Sequence, residues 1–327
     1  MSKLIRAAMT LVVLVAMALV MSACGDDDDD NGGGGAQTTG GGESADLIER
    51  DPANGDTRIT IGSKNFDEQY ILGEIYAQAL AAAGFDVRKE LDLGSEQVAF
   101  RALKNGDIDA YPEYTGTALT SFYRVKVADV PRDPDEAFTQ LEQELEGDSI
   151  TAMPQTPFQN TYLVTSTRET AEEFGSPETV TELVEEAGNG VRLSGFPECR
   201  QRTDCYLGLR DTYNWTPEFV SSEGQYDDLD NDQADFTMGF STDGPLSLDK
   251  YHTYEDDQGL FPPYYVTLLS RDDAADKLGD AGREIIERIQ EPLDETVMRE
   301  LNSRVSIDKE TPRNVAAAYL RESGFTE

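Results

Sequence analysis

A single histidine, His252, serves the whole 327-residue chain, and the absences that go with it exclude several kinds of chemistry. There is no G-x-S-x-G elbow, so a serine hydrolase has little to rest on. No G-x-x-x-x-G-K-[ST] stretch occurs, so no phosphate-cradling loop of that type is present. Cysteine is scarce at three residues, and His252 lies far from all of them in sequence, which leaves a His/Cys metal site unsupported. Near Tyr251 and Tyr254, His252 reads as a surface or packing residue. Basic residues are few as well: 27 Lys and Arg against 64 Asp and Glu, a formal net charge of −37. A polyanion of this kind is repelled by nucleic acid and by anionic headgroups. The acidity suits a cationic ligand or a salty milieu, and a solvated acidic surface is its plainest meaning. Nothing here implies a cofactor or a catalytic dyad, so an enzyme is disfavoured.

Long apolar runs are absent except at the start. Lys3 and Arg6 precede an uncharged stretch over residues 7–20, and MSAC (21–24) follows. This is similar to a bacterial lipobox, with residues 1–23 removed as a signal peptide and Cys24 lipidated. The alternatives are an ordinary secretory peptide cut near Ala23, or a membrane anchor. The run is shorter than the ~20 residues a bilayer core requires, which counts against the anchor. Five aspartates (26–30) and a Gly-rich stretch follow; they cannot bury apolar surface, so residues 24–56 read as a flexible tether. Metal binding by the aspartate run is the weaker reading, because like charges in a flexible chain repel and extend it. Without Lys3 and Arg6, the mature chain carries 25 basic against 64 acidic residues, a net −39. Once Cys24 is spent on lipid, Cys199 and Cys205 remain, six residues apart in an oxidising compartment, and a local disulfide between them is expected.

Two segments echo one another. NGDIDAYPEYTGT (105–117) and NDQADFTMGFSTDG (231–244) each place an Asp four residues after an Asn and an aromatic nine residues after it. Two similar lobes facing each other would set Tyr114 and Phe240 on opposite walls of one cleft. The surrounding pattern is alternating α/β. Strands are expected at 58–62, 85–91 and 109–114, with helices at 67–83 and 95–104 and Thr115 or Thr117 capping the next helix. A second unit begins near Asn160, with strands at 161–165, 190–194 and 235–240, a helix at 180–187 and a return strand at 261–269. Helices at 281–290, 294–302 and 312–323 close the chain. Crossover helices between strands point to largely parallel sheets. The expected division is residues 57–159 plus 263–327 as lobe 1 and 160–262 as lobe 2, joined by crossings near 158–162 and 261–265. Ligands in such sheets bind in the crevice beyond the carboxyl ends of the strands.

The motifs GSKNFDEQ (62–69), YPEYTGT (111–117), STDG (241–244) and FPPY (261–264) occur in an order that resembles the substrate-binding proteins of osmoprotectant ABC importers. The resemblance spans about Thr57 to Phe325. It implies an α/β, type II periplasmic-binding-protein-like fold and capture of a quaternary ammonium compound, glycine betaine first and then choline, carnitine or proline betaine. It further implies a monomer, lipid-anchored on the outer face of the cell membrane, that passes this ligand to a membrane permease. Aromatic faces can surround a quaternary nitrogen, which has no N–H to donate. On the family's motifs the cage positions are Tyr114, Tyr162, Phe240 and Tyr264. Phe240 stands where relatives usually carry Tyr. Lys64 and Thr117 match positions that hold a ligand carboxylate, and Gln69 lines the same wall. ECRQRTDCY (198–206) resembles the family's E-x-x-x-R-x-D-G-Y stretch, making Arg202 the lobe-closing arginine, with Arg200 as the substitute. The competing readings are a two-lobe binder for another cation or an amino acid, with Asp243 pairing a primary amine, and an extracellular enzyme or sensor.

Overall fold

Strand β1 (Arg58–Gly62) buries Ile59 and Ile61, which stand two apart and so share one face of the sheet. Helix α1 (Asp67–Ala82) follows, its first turn carrying Asp67 and Glu68 where the helix dipole favours negative charge. The structure is a computed structural model that describes residues 47–327. The expected signal segment, Cys24 and the first part of the tether lie outside the described residues. The tether was expected to run to residue 56, yet its last residues are docked. Ile48 N–H donates to the Phe325 carbonyl and Asp51 N–H to that of Ala83, both at 3.0 Å.

The chain then builds β2 (Asp86–Glu90), α2 (Glu96–Asn105), β3 (Ala110–Tyr114), a helical turn α3 (Thr115–Thr117), α4 (Pro134–Leu145) and β4 (Ile150–Ala152). A second set follows: β5 (Tyr162–Thr167), α5 (Arg168–Glu173), α6 (Val180–Ala187), β6 (Arg192–Gly195), α7 (Tyr206–Tyr213), β7 (Glu218–Ser221), α8 (Gln225–Asp230), β8 (Phe236–Phe240) and β9 (Tyr251–Tyr254). Finally β10 (Val266–Arg271) returns to the first set, ahead of α9 (Asp272–Gln290), α10 (Glu295–Ser306) and α11 (Pro312–Glu322).

Among the described residues the strands form two five-stranded sheets of matching order, β2-β1-β3-β10-β4 and β7-β6-β8-β5-β9. In each, two pairings are parallel and two antiparallel, so the sheets are mixed rather than largely parallel. The antiparallel members are the strands next to a crossing, which enter from the other lobe and run against their neighbours. The sequence echo is a repeat of this topology: β3 and β8 are the central strands, and Asp109 and Asp235 do the same work at their starts. Each carboxylate accepts from the backbone N–H of the adjoining strand, Thr60 at 2.8 Å and Arg192 at 2.7 Å. Each aspartate's own N–H donates back to that same residue's carbonyl.

Sheet 1 is covered on both faces. One face packs on α1 and the C-terminal helices through Ile71, Ile75, Ile286 and Val315; the other packs on α2 and α4 through Phe100, Leu103, Leu141 and Tyr111. The two crossings run side by side, with Asn160 N–H donating to the Tyr264 carbonyl at 3.0 Å and a bridge between Gln159 and Tyr265. A third tie comes from α10, which packs against the loop after β8. There the Arg299 guanidinium donates to the Ser241 carbonyl at 2.7 and 3.0 Å.

Three local differences from the sequence expectation have physical causes. The return strand starts at Val266 rather than residue 261, because Pro262 and Pro263 have no N–H to give the ladder. Helix α9 starts ahead of the expected residue 281 and breaks at Gly279, whose φ of 61° is open to glycine. Neither threonine caps a helix through its side chain: Thr115–Thr117 is itself helical and runs straight on into the turn Ala118–Phe122, and the Thr115 hydroxyl donates to the Pro263 carbonyl at 2.9 Å.

Candidate functional site

The crossings and the carboxyl end of β8 meet at Tyr162. Antiparallel pairing sets Tyr162 of β5 opposite Phe240 of β8, with ring centroids 5.0 Å apart. Three more rings surround Tyr162: Tyr264 edge-on at 5.3 Å, Phe261 at 5.4 Å and Phe196 stacked at 6.1 Å. Tyr162 and Tyr264 are buried, whereas Phe196, Phe240 and Phe261 keep partial exposure. Three of the four expected cage positions are therefore adjacent, and two phenylalanines not anticipated from sequence complete the group. Both precede a proline (Pro197 and Pro262), which restricts them to extended backbone. That F-P pairing was the signal available.

Tyr114, the fourth expected position, belongs to a neighbouring group. Its ring stacks with Phe66 at 6.3 Å, and the Lys64 ammonium lies 4.4 Å from its centroid. Lys64 is buried and paired with Glu113, which also accepts from the Tyr111 hydroxyl at 2.9 Å. Burial, with the Glu68 charge adding, raises the Tyr114 phenol well above its ordinary range. Thr117 is buried one turn beyond. Gln69 accepts the Lys64 N–H at 3.1 Å, and its side-chain N–H group is buried beside the Tyr114 hydroxyl.

Behind both groups sits Glu68. It accepts from the Tyr114 hydroxyl (2.7 Å), Asn160 (2.9 Å), Asn302 (2.8 Å) and the Thr242 hydroxyl, so one carboxylate gathers both lobes, a crossing and α10.

At the mouth, Arg202 lies on the loop closed by the Cys199–Cys205 disulfide, whose Cα atoms are 5.2 Å apart. Its guanidinium grips Asp204 through Nε (2.8 Å) and Nη2 (2.6 Å), reaches Glu96 of lobe 1 through Nη1 (3.2 Å), and lies 5.9 Å over the Tyr162 ring. Tyr264 donates its hydroxyl to Asp204 at 2.7 Å. Burial opposes ionisation of Asp204, but the Arg202 guanidinium and these hydrogen bonds hold its carboxyl below the ordinary range. Arg200 is exposed on the same turn. A cavity of about 500 Å³ opens here, lined on its charged side by Glu96, Arg124, Lys126, Glu198, Arg202 and Asp204. Asp243, by contrast, turns back on its own strand and accepts from Phe240 N–H (2.8 Å) and the Tyr226 hydroxyl (2.9 Å).

Two α/β lobes on a double crossing, with aromatics and an arginine where they meet, define a two-lobe solute-binding protein. The sequence matches the family described as the substrate-binding domain of the ABC-type glycine betaine transport system over residues 57–322, and the chain belongs to that family. It is thus a binding component of a transport system that works with a membrane permease, and not an enzyme. A glycine-betaine-binding protein of Pseudomonas aeruginosa is 30% identical over 277 residues, covering 81% of this chain and 87% of the relative. A Helicobacter pylori protein described as an ergothioneine transport permease/ergothioneine-binding protein is 25% identical over 82% of this chain and 48% of its own length. Among solved structures, a glycine betaine/carnitine/choline ABC transporter protein shares the fold, with a TM-score of 0.68 at 24% identity, over 81% of this chain and 98% of that one.

Proposed function

We propose that this protein captures quaternary ammonium osmoprotectants, glycine betaine foremost, with the aromatic group around Tyr162, and delivers them to its permease. The observation that carries the reading is the five-ring cluster of Tyr162, Phe196, Phe240, Phe261 and Tyr264, drawn from lobe 2 and the second crossing, in a chain of this family. Aromatic faces attract a cation that has no proton to donate by ~0.5–2 kcal/mol each. A nitrogen held between two opposing faces sits within ~6 Å of each centroid. The rings around Tyr162 lie in mutual contact at 5.0–6.1 Å, so lodging a trimethylammonium requires them to part. Tyr162 and Phe240 stay paired in one sheet, so the room comes from movement of Phe261 and Tyr264 on the second crossing relative to lobe 2, and ligand touching both then favours the closed arrangement. Anchoring through a lipidated Cys24, with the body acting as a monomer, belongs to the same proposal.

Isothermal titration of the purified protein with glycine betaine, choline, carnitine, proline betaine and an amino-acid panel tests it. Saturable heats are expected from the quaternary amines and none from primary amines such as arginine; the reverse pattern rejects the aromatic reading. Asp243, the residue a primary amine would need, has one oxygen already taken by two donors.

A further inference from the structure

We propose that Glu96 is a specificity-determining residue: its carboxylate competes with that of the ligand for Arg202 and so sets how the cleft ranks zwitterionic against purely cationic quaternary amines. The inference rests on the aromatic reading of the cleft given above.

Arg202 offers its donors along two edges. One edge, Nε with Nη2, is held in a fork by Asp204, two residues away on the same disulfide-closed loop. That pair travels with lobe 2 as a unit. The Nη1 edge faces lobe 1, and Glu96, the first residue of α2, takes it at 3.2 Å. Both side chains are largely withdrawn from water, at 10% and 14% exposure, so the pair is weakly screened. A ligand carboxylate seeking the Arg202 fork meets an edge that a protein carboxylate already fills. It must displace Glu96, or accept a like charge close by. The other buried cation expected to hold that carboxylate, Lys64, is likewise taken by Glu113.

The same residue has the opposite effect on a cation. Arg202, Asp204 and Glu96 together carry one net negative charge beside the Tyr162 ring; burial is what chiefly raises the Tyr162 phenol, the Arg202 charge opposes that rise, and the Asp204 and Glu96 charges add to it. A ligand with a trimethylammonium group and a neutral tail gains from that excess. A zwitterion gains at one end and loses at the other. Removing only the Glu96 charge should therefore move the two ligand types in opposite directions, which a merely structural role does not do.

The test is titration of wild type and Glu96→Gln with glycine betaine and choline in one buffer. In E96Q, betaine binds more tightly and choline more weakly, and the ratio Kd(choline)/Kd(betaine) rises about fivefold or more. Glu96→Asp, which keeps the charge, holds the ratio near that of wild type. Should E96Q lack a cooperative melt, Glu96→Ala carries the same expectation. A ratio that moves less than this, or moves equally in E96D, overturns the inference while leaving the aromatic reading intact. Wild-type protein that binds neither ligand overturns both.

Discussion

Glu68 and Asn302, 234 positions apart in the chain, join α1 to α10 through a 2.8 Å hydrogen bond. The same carboxylate accepts from Tyr114, Asn160 and Thr242, so its four donors come from both lobes, a crossing and the C-terminal helices. Replacing it with alanine strands four buried donors at once. We expect Glu68→Ala to cost on the order of 3–5 kcal/mol in chemical unfolding. Glu68→Gln keeps the shape and one acceptor oxygen, and should cost roughly 1–3 kcal/mol. Equal unfolding midpoints for both variants and wild type would show that these bonds do not bear on stability.

Gly116 is a point of close approach between the first lobe and the second crossing. A Cβ there would sit 2.6 Å from the Pro263 carbonyl oxygen and 2.8 Å from the Tyr264 ring. The carbonyl is backbone and cannot swing away, so Gly116→Ala has to push residues 263–264 outward. The variant should lose about 1–3 kcal/mol of stability, as overpacked sites do. Ligand affinity should fall with it, because Tyr264 is carried away from Tyr162. Unfolding curves and titration together check the link; a stability loss with unchanged affinity would separate Tyr264 from the site.

Much of the fold was legible because its repeat is written in short-range pattern. Strand alternation and the paired Asp109 and Asp235 mark equivalent central strands, and the carboxyl ends of those strands carry Tyr114 and Phe240. Tyr162 was legible as a crossing residue for the same reason. The carboxylates that partner the expected polar residues were not. Glu68 and Glu96 are ordinary acidic residues at the starts of helices α1 and α2, and nothing in local spacing ties them to Asn302 or Arg202. Those partnerships exist only after the lobes are assembled. Tyr114 shows the converse limit: its motif placed it at the right strand end, but its neighbours Lys64 and Phe66 arrive from the loop after β1.

Stability should also carry a signature of Asp243. Burial raises its carboxyl pKa to about 7 despite hydrogen bonds from Phe240 N–H and Tyr226, with Glu68 and Asp67 adding to the rise. An unfolded chain releases that proton near 3.8, while the folded chain keeps it until about 7. Stability from this group is therefore full below about pH 4, falls as pH rises through the window, and levels off above it. The whole difference is at most ~4 kcal/mol. Asp243→Asn should flatten that part of the curve, read from urea unfolding at half-unit pH steps. Parallel curves for variant and wild type would contradict the raised carboxyl.

The face of Tyr162 and its hydroxyl can be separated. If the face holds a cation, Tyr162→Phe keeps affinity within about threefold, and Tyr162→Ala loses tenfold or more. Phe240 already shows that a ring without a hydroxyl is accommodated in this cluster. Equal losses in both variants would shift the interaction to the hydroxyl and away from the π face.

The Cys199–Cys205 bond closes a short loop, and that loop carries Arg202 and Asp204. A loop of this size contributes about 2 kcal/mol by restricting the unfolded chain. Its larger consequence is local. With the link cut by Cys199→Ser and Cys205→Ser together, Arg202 and Asp204 still pair, but nothing covalent fixes their turn above Tyr162. Global stability should drop by that modest amount, while ligand affinity drops about tenfold through loss of a preorganised Arg202. Titration under reducing conditions should reproduce the double variant. An unchanged affinity alongside the expected stability loss would mean that the Asp204 fork alone holds Arg202 in place, and that the disulfide serves the fold rather than the cleft.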